Sequence, residues 1–407
     1  MMALAGFLLR NNFFTFLLLA GLVLTTRILA IHFINLPLSS DELGYMDMAT
    51  NLAERNEINH AFLSAGYPIF LSLFFKLFGS SQSVAQGVNT GLGLVTLWLI
   101  WRCAKLVVKP EWGPPLASAA YVFYLPATIY TTYILKENLT APILLGQILL
   151  LMTFEQAKSK SLAAIILGAL YAATLITSPS AVAFGVINFA VILGVFVKSS
   201  LDWRRGVLFI VATILFLAPW LYHTNSVMGR PVLDTNTGFN LYIGHNSRAT
   251  GYFTSIQDTD LGGETWKELT ARYSYLERSD YMKDLAIKYM LDHPVRTVLI
   301  SLKKAGLFWM PPIHEGPGGN QSVLESIVRK GWLIQYLIIM SLSFVPLLFW
   351  RQLNREIILI YACVTGFWIL HAAVYIIFRY REPIMPFMIL LACVGFNNFL
   401  SIRKPDS

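Results

Sequence analysis

The 407-residue chain is 56% hydrophobic and 14% aromatic, with 13% charged residues and a mean hydropathy of +0.57, a composition that excludes a water-soluble globular protein of this size. Its net charge of +8 does not indicate nucleic-acid binding, because the basic residues stand singly at the ends of apolar segments instead of forming a patch. Cys103, Cys363 and Cys393 lie in or beside apolar runs, with neither metal-site spacing nor a disulfide framework, and read as inert core residues.

These features predict an all-α polytopic membrane protein. A bilayer core takes about 20 apolar residues per helix, and runs of that order lie near 13-34, 84-101, 114-134, 138-154, 162-177, 181-197, 206-222, 331-350, 356-378 and 384-401. The first run follows Arg10 and reads as a retained signal anchor, since no small-residue cleavage site follows it and many spans do. With the N-terminus inside, every inner end is basic: Arg10, then Arg102, Lys105 and Lys109, then Lys158 and Lys160, then Lys198, Arg204 and Arg205, then Arg351 and Arg355, then Arg403 and Lys404. Ten spans with both termini cytoplasmic are expected.

The chain then divides into 1-222, with seven spans and a first outer loop at 35-83, an outer-face region at 223-330, and the last three spans at 331-407. Short helices are expected at 40-55 and 68-78, the latter with an aromatic face for the interface. The second outer region opens with a Gly/Asn-rich loop at 237-246 and continues through a charged helical stretch near 264-292. Segment 295-312 carries Arg296, Lys303 and Lys304. A charge at mid-bilayer costs roughly 2.5 to 3.5 kcal/mol, so a helix lying in the interface is expected there. Pro311-Pro312 and Gly316-Pro317-Gly318-Gly319 are expected to be turns.

Candidate site residues concentrate at the outer ends of the spans. Ser39-Ser40-Asp41-Glu42-Leu43-Gly44-Tyr45 places two carboxylates just after the first span. Asp41 suits a general base that accepts a proton from an attacking hydroxyl. The competing reading is a capping box, Ser39-x-x-Glu42, with Asp41 complementing the helix dipole. Asp41, Glu42 and Asp47 could alternatively hold a divalent metal. Lys136-Glu137 occupies the turn between the third and fourth spans, as a phosphate contact or as an interfacial ion pair. Phe378-Arg379-Tyr380-Arg381-Glu382-Pro383 puts two arginines in an outer turn, against the positive-inside trend. Pro383 disfavours helix before it, so Arg379 and Arg381 are expected on extended backbone, projecting to one side where they could grip a phosphate or anchor lipid headgroups. Arg27, within the first span, either serves function or snorkels. His371 reads as a core residue.

Taken together, the chain resembles the GT-C superfamily of membrane glycosyltransferases, in the branch of aminoarabinose transferases and protein O-mannosyltransferases. The likeness rests on Asp41-Glu42-x-x-Tyr45, on Gly66-Tyr67-Pro68-Ile69-Phe70 and on Arg379-Tyr380-Arg381-Glu382-Pro383, in that order along the chain. Softer echoes are the outer Lys136-Glu137 and Gly238-Phe239-Asn240-Leu241-Tyr242-Ile243-Gly244-His245-Asn246. The resemblance implies inverting transfer of a sugar from a polyprenyl-phosphate donor to a lipid, polysaccharide or protein acceptor, on the outer face of the plasma (inner) membrane. By position, Asp41 would activate the acceptor with Glu42 in support, while Arg379, Arg381 and Lys136 hold the phosphate. Tyr45, Arg27, Tyr67, Asn240, Tyr242 and His245 are then candidates for the pocket. No cofactor is assigned, since several relatives in this branch need no metal. Leu63-Ser64-Ala65 stands where relatives commonly carry a basic residue. The large C-terminal outer domain of several relatives is expected to be missing, leaving acceptor recognition to 35-83 and 223-330. A lipid flippase or transporter, and a non-catalytic subunit of a glycan-assembly complex, are the competing functions. A transporter would place ionisable groups at the midplane of several spans, whereas these gather at outer ends.

Overall fold

A computed structural model describes residues 12–34, 37–58, 61–194, 202–311 and 323–402. Arg10, Lys198, Arg403, Lys404, Pro312 and the glycine-rich turn at 316-319 lie outside the described residues. In chain order the α-helices of eight or more residues are α1 (Asn12–Phe33), α2 (Asp41–Arg55), α3 (Gly66–Phe78), α4 (Gln82–Val107), α5 (Gly113–Phe123), α6 (Glu137–Met152), α7 (Lys160–Thr177) and α8 (Ala183–Ile192). They continue as α9 (Trp203–Met228), α10 (Thr237–Gly244), α11 (Glu264–Arg272), α12 (Tyr275–Asp292), α13 (Pro294–Phe308), α14 (Val323–Leu348), α15 (Arg355–Ala372) and α16 (Met385–Ile402). A 3₁₀ turn, Phe378–Ile384, leads into α16. Among the described residues there is no strand, only an isolated bridge between Tyr252 and Ile376.

Among the described residues, seven segments are long and apolar enough to cross a membrane: α1, α4, α7, α9, α14, α15 and Phe378–Ser401. Gly66–Phe78, Glu137–Met152 and Pro179–Ile192 are shorter apolar helices. The chain is a multi-pass membrane protein. Its most enclosed span is α16, where Met385, Phe387, Leu390 and Leu391 are wholly buried. With lipid as solvent, helix contact depends on close backbone approach. Gly395 shows this, since a Cβ added there would meet the Leu342 carbonyl of α14 at 1.9 Å. By contrast α9 turns Ile214, Leu215 and Phe216 outward, as a lipid-facing helix must.

Three local expectations are corrected and one is refined. The run at 114-134 is not one helix: it breaks at Tyr124, whose ψ is 108°, because Pro126 would drive its ring against the carbonyl four residues back. The Gly/Asn-rich stretch at 237-246 is helical over Thr237–Gly244. Its Gly238 is not there for a turn, since an added Cβ would lie 1.8 Å from the Ser279 carbonyl of α12. The charged stretch at 264-292 is helical as expected, as two helices, α11 and α12, the second started by a complete Ser274/Glu277 capping box. The 378-384 segment is 3₁₀ and not extended, with the Tyr380 N–H donating to the Ile377 carbonyl at 3.0 Å.

Helix α13 exposes Val295, Val298, Leu299 and Leu302 and buries Lys304 and Phe308. Its 15 residues span about 22 Å at 1.5 Å per residue, short of a hydrocarbon core of about 30 Å.

Candidate active site

A cavity of about 640 Å³ opens where several helix ends meet. Its wall takes residues from seven connections: Ser40 and Asp41 after α1, Phe62 and Leu63 between α2 and α3, Lys136 before α6, Ser178 to Ser180 before α8, Asp234 to Asn240 after α9, Phe253 between α10 and α11, and Tyr375 to Pro383 before α16. These connections converge on the one cavity. Phe367, Leu370, Val374 and Val182 also line the cavity, so its wall is part apolar and part charged.

Asp41 is the first residue of α2. Ser40 before it adopts φ 46°, ψ −120°, a region ordinarily left to glycine, at a cost of about 1–3 kcal/mol. Glu42 holds this geometry. Its carboxylate accepts from the Ser39 N–H at 3.3 Å and the Ser39 hydroxyl at 3.4 Å, and its other oxygen accepts from the Ile134 N–H at 3.0 Å. Only half of the expected capping box forms, since no side-chain bond caps the α2 N-terminus. Glu42 thus faces inward, and Asp47 is exposed. Asp41, Glu42 and Asp47 do not converge as metal ligands, and among the described residues no cluster of three or more metal-type side chains occurs.

Arg379 reaches from the 3₁₀ turn to Asp41 and bonds its carboxylate. Its Nε lies 3.7 Å from an Oε of Glu137. Glu137 opens α6 and is 6% exposed. Behind it lies a second, small cavity of about 50 Å³, lined by Asn89, Tyr121, Tyr130, Glu137, Asn138 and Glu382. Glu137 borders both cavities, and its second oxygen has no hydrogen-bond partner.

The structure does not bring Arg381 to this place. Residues two apart in a 3₁₀ turn diverge, because each step rotates by about 120°, and Arg381 turns to the other side. Its Nη1 donates to the Phe308 carbonyl at 3.2 Å and the Met310 carbonyl at 2.6 Å, while its Cζ lies 4.3 Å from the Tyr336 ring centroid. The end of α13 leaves its last carbonyls without helical donors, and a guanidinium satisfies them at the negative end of the helix dipole.

Lys136 lines the cavity and donates to the Ser64 hydroxyl at 3.4 Å. That hydroxyl lies in the Leu63-Ser64-Ala65 stretch. Tyr45 also lines the cavity, its ring set edge-on to Tyr67 at 5.7 Å, and burial followed by the charge of Glu137 keeps its phenol neutral, with a pKa well above the ordinary value. Tyr67 stands behind it, outside the cavity, donating to Asn89 at 2.8 Å. Asn240 lines the cavity and accepts from the Tyr375 hydroxyl at 3.2 Å. Tyr242 and His245 lie elsewhere, in the packing of α10. His245 Nδ1 meets the Leu241 carbonyl at 3.2 Å, and its Nε2 meets the Lys304 ammonium at 3.1 Å. Arg27 is 0% exposed, which rules out snorkelling. It packs on Gly93, with its Cζ 5.2 Å from the Tyr121 ring centroid, beside the small cavity and apart from the large one. His371 is buried, bonds the Phe367 carbonyl at 2.8 Å, and still contributes to the cavity wall.

Two acidic residues escaped the sequence reading of the site. Glu137 stands beside Lys136 in the sequence, where the lysine alone suggests a phosphate contact. Asp234 accepts from the Thr237 hydroxyl at 2.8 Å and faces the cavity. Burial raises its pKa, opposed by the Thr237 bond and by Lys136. Its signal was the Asp234-x-x-Thr237 spacing ahead of the Gly238-Phe239-Asn240 stretch, a helix-start pattern.

No family model matches the chain, and no curated protein matches it in sequence. Solved structures do match in fold. ArnT from Cupriavidus metallidurans, bound to undecaprenyl phosphate, is 12% identical with a TM-score of 0.52, over 94% of this chain and 60% of its own. An apo oligosaccharyltransferase from Archaeoglobus fulgidus is 10% identical with a TM-score of 0.52, over 95% of this chain and 50% of its own. AglB from the same organism, in complex with an inhibitory peptide and a dolichol-phosphate, is 10% identical with a TM-score of 0.50, again over 95% and 50%. This chain therefore spans half to three fifths of the length of these structures. The chain shares its fold with these structures, in keeping with the likeness that the ordered motifs suggest.

Proposed function

We propose that the protein transfers a sugar from a polyprenyl-phosphate donor to an acceptor hydroxyl, with inversion, on the outer face of the membrane. One observation carries this reading: Asp41 and two cations, Arg379 and Lys136, line the same cavity as the apolar Phe367, Leu370 and Val374. A volume of about 640 Å³ lies in the usual range of small-molecule sites. It is enough for a sugar phosphate and the first units of a prenyl chain, with the chain along Phe367, Leu370 and Val374. The fold shared with proteins solved with undecaprenyl phosphate and dolichol-phosphate supports the same donor class.

In the reaction the acceptor O–H gives its proton to the Asp41 carboxylate. The oxygen forms a bond to the anomeric carbon from the side opposite the phosphate. The bond from that carbon to the phosphate oxygen breaks, and its electron pair leaves with the lipid phosphate. Arg379 and Lys136 stabilise the charge that develops there. Glu42 keeps Asp41 at the head of α2. The sugar and the acceptor are selected by the wall between Asp234 and Tyr375.

The test is transfer of radiolabelled sugar from synthetic polyprenyl-phosphate donors to membrane extracts, by the unaltered protein and by Asp41→Asn. A general base contributes about 10²- to 10⁴-fold, so Asp41→Asn should lose transfer by that factor while still binding the donor. Equal transfer by both proteins removes Asp41 from the chemical step. Lipid crossing liposomes without any sugar transfer moves the protein to the flippase class.

A further inference from the structure

On the reading that Arg379 holds the donor phosphate, the Asp41–Arg379 contact poses a difficulty. A carboxylate engaged by a guanidinium is a poor proton acceptor, and the guanidinium is not free for phosphate. We propose that Glu137 is the fixed seat of Arg379 and Asp41 its exchangeable partner: the incoming lipid phosphate replaces Asp41 at the guanidinium, and that exchange frees Asp41 to take the acceptor's proton.

The two carboxylates are placed for unequal roles. The Asp41 side chain is 30% exposed and opens to the cavity, whereas that of Glu137 is 6% exposed. Glu137 begins α6, against which the 378-384 turn packs, so it moves only with the helix. Asp41 sits one residue after the strained Ser40 at the start of a helix held to the 134 region through Glu42. Arg379 approaches Asp41 with Nη2 and Glu137 with Nε, and Nε makes no hydrogen bond as found. A guanidinium offers a planar fork of donors that suits two phosphate oxygens at once. A phosphodiester carries one negative charge, as a carboxylate does, so the exchange leaves the charge around Arg379 unchanged. When the sugar departs, the lipid phosphate gains charge and holds Arg379 more strongly. Without donor, the base stays occupied and does not activate water.

The test is binding, separate from chemistry. A short-chain prenyl phosphate is titrated into the full-length protein in detergent at fixed ionic strength, with the matching prenyl alcohol as control. Removing a competitor of this partly exposed kind should tighten phosphate binding, so Asp41→Asn and Asp41→Ala are each expected to lower the Kd about 3- to 10-fold. Glu137→Gln should raise it about tenfold, because the seat is lost. Alcohol binding should be indifferent to all three, and unchanged melting curves serve as the check on folding. A contact that only braces the structure gives the opposite sign, with weaker phosphate binding when Asp41 is removed. That result, or an unchanged Kd in Glu137→Gln, overturns the proposal. Tighter binding in Asp41→Asn with no sugar transfer by the unaltered protein keeps the exchange and removes the transferase. Transfer by the unaltered protein with weaker binding in Asp41→Asn does the reverse.

Discussion

The His245–Lys304 contact makes a prediction whose size follows from the structure. Both side chains are buried, at 3% and 0% exposure, and they lock α10 to α13. The Lys304 ammonium donates to the Gly244 carbonyl at 3.2 Å and meets His245 Nε2 at 3.1 Å. Nε2 must therefore accept, and Nδ1 carries the proton toward the Leu241 carbonyl. Burial, then the neighbouring Lys304 charge, pushes the His245 pKa down to about 4. Burial likewise lowers Lys304 to about 8.

For each group the unfolded chain binds its proton at higher pH than the folded one, so stability rises with pH through both windows. His245 contributes between about pH 4 and 6.5, and Lys304 between about pH 8 and 10.5. At 1.36 kcal/mol per unit, acidification from pH 7.5 to 5 should cost about 2 kcal/mol through His245. Raising pH from 7.5 to 9.5 should return about 2 kcal/mol through Lys304. The assay is thermal or denaturant unfolding in detergent across pH 4.5 to 10, comparing the unaltered protein with His245→Gln and Lys304→Met. The level of each variant's curve will shift for other reasons, including the acceptors left by Lys304, but the slopes isolate the titrations. His245→Gln should flatten the acid limb and Lys304→Met the alkaline one. Parallel slopes in all three proteins would refute the reasoning and return His245 to candidacy as a site residue.

The two arginines of the 378-384 turn should separate in experiment. Arg381→Met should lower stability by about 2–4 kcal/mol, since the Phe308 and Met310 carbonyls lose their donor, and Arg381→Lys should recover little of it; unfolding curves measure both. Ser40→Gly should raise stability by about 1 kcal/mol by relieving the positive φ, while Ser40→Val, branched at Cβ, should lower it by more than that, as read from melting of the same preparations.

Much of the architecture was legible because lipid leaves a chain few options. Each of the ten apolar runs contains helix, since a backbone in hydrocarbon must satisfy its own hydrogen bonds. What the runs concealed was their continuity. Pro126 broke one of them, and the Gly238 stretch became helix because the glycine admits the α12 backbone. Composition alone reads a glycine as a bend, yet its lack of a side chain serves close packing equally well.

The candidate site was legible for a related reason, and only in part for a deeper one. A charge beside a long apolar run is costly, so Asp41, Lys136, Arg379, Arg381 and Arg27 stood out as residues that require partners. The cost names the residue without naming the partner. Arg379 and Arg381 are two positions apart and chemically identical, and their fates diverge through the rotation of a 3₁₀ turn together with the uncapped carbonyls at the end of α13. Those carbonyls sit some 70 residues earlier in the chain, and no local pattern links them to Arg381. The same logic explains Glu137. Beside Lys136 it looked like half of a local ion pair, yet the lysine extends to Ser64 and the glutamate to Arg379. Where two neighbouring charges could neutralise each other, their separation toward distant partners is the physical mark of a site, because each then holds a remote element against the cavity.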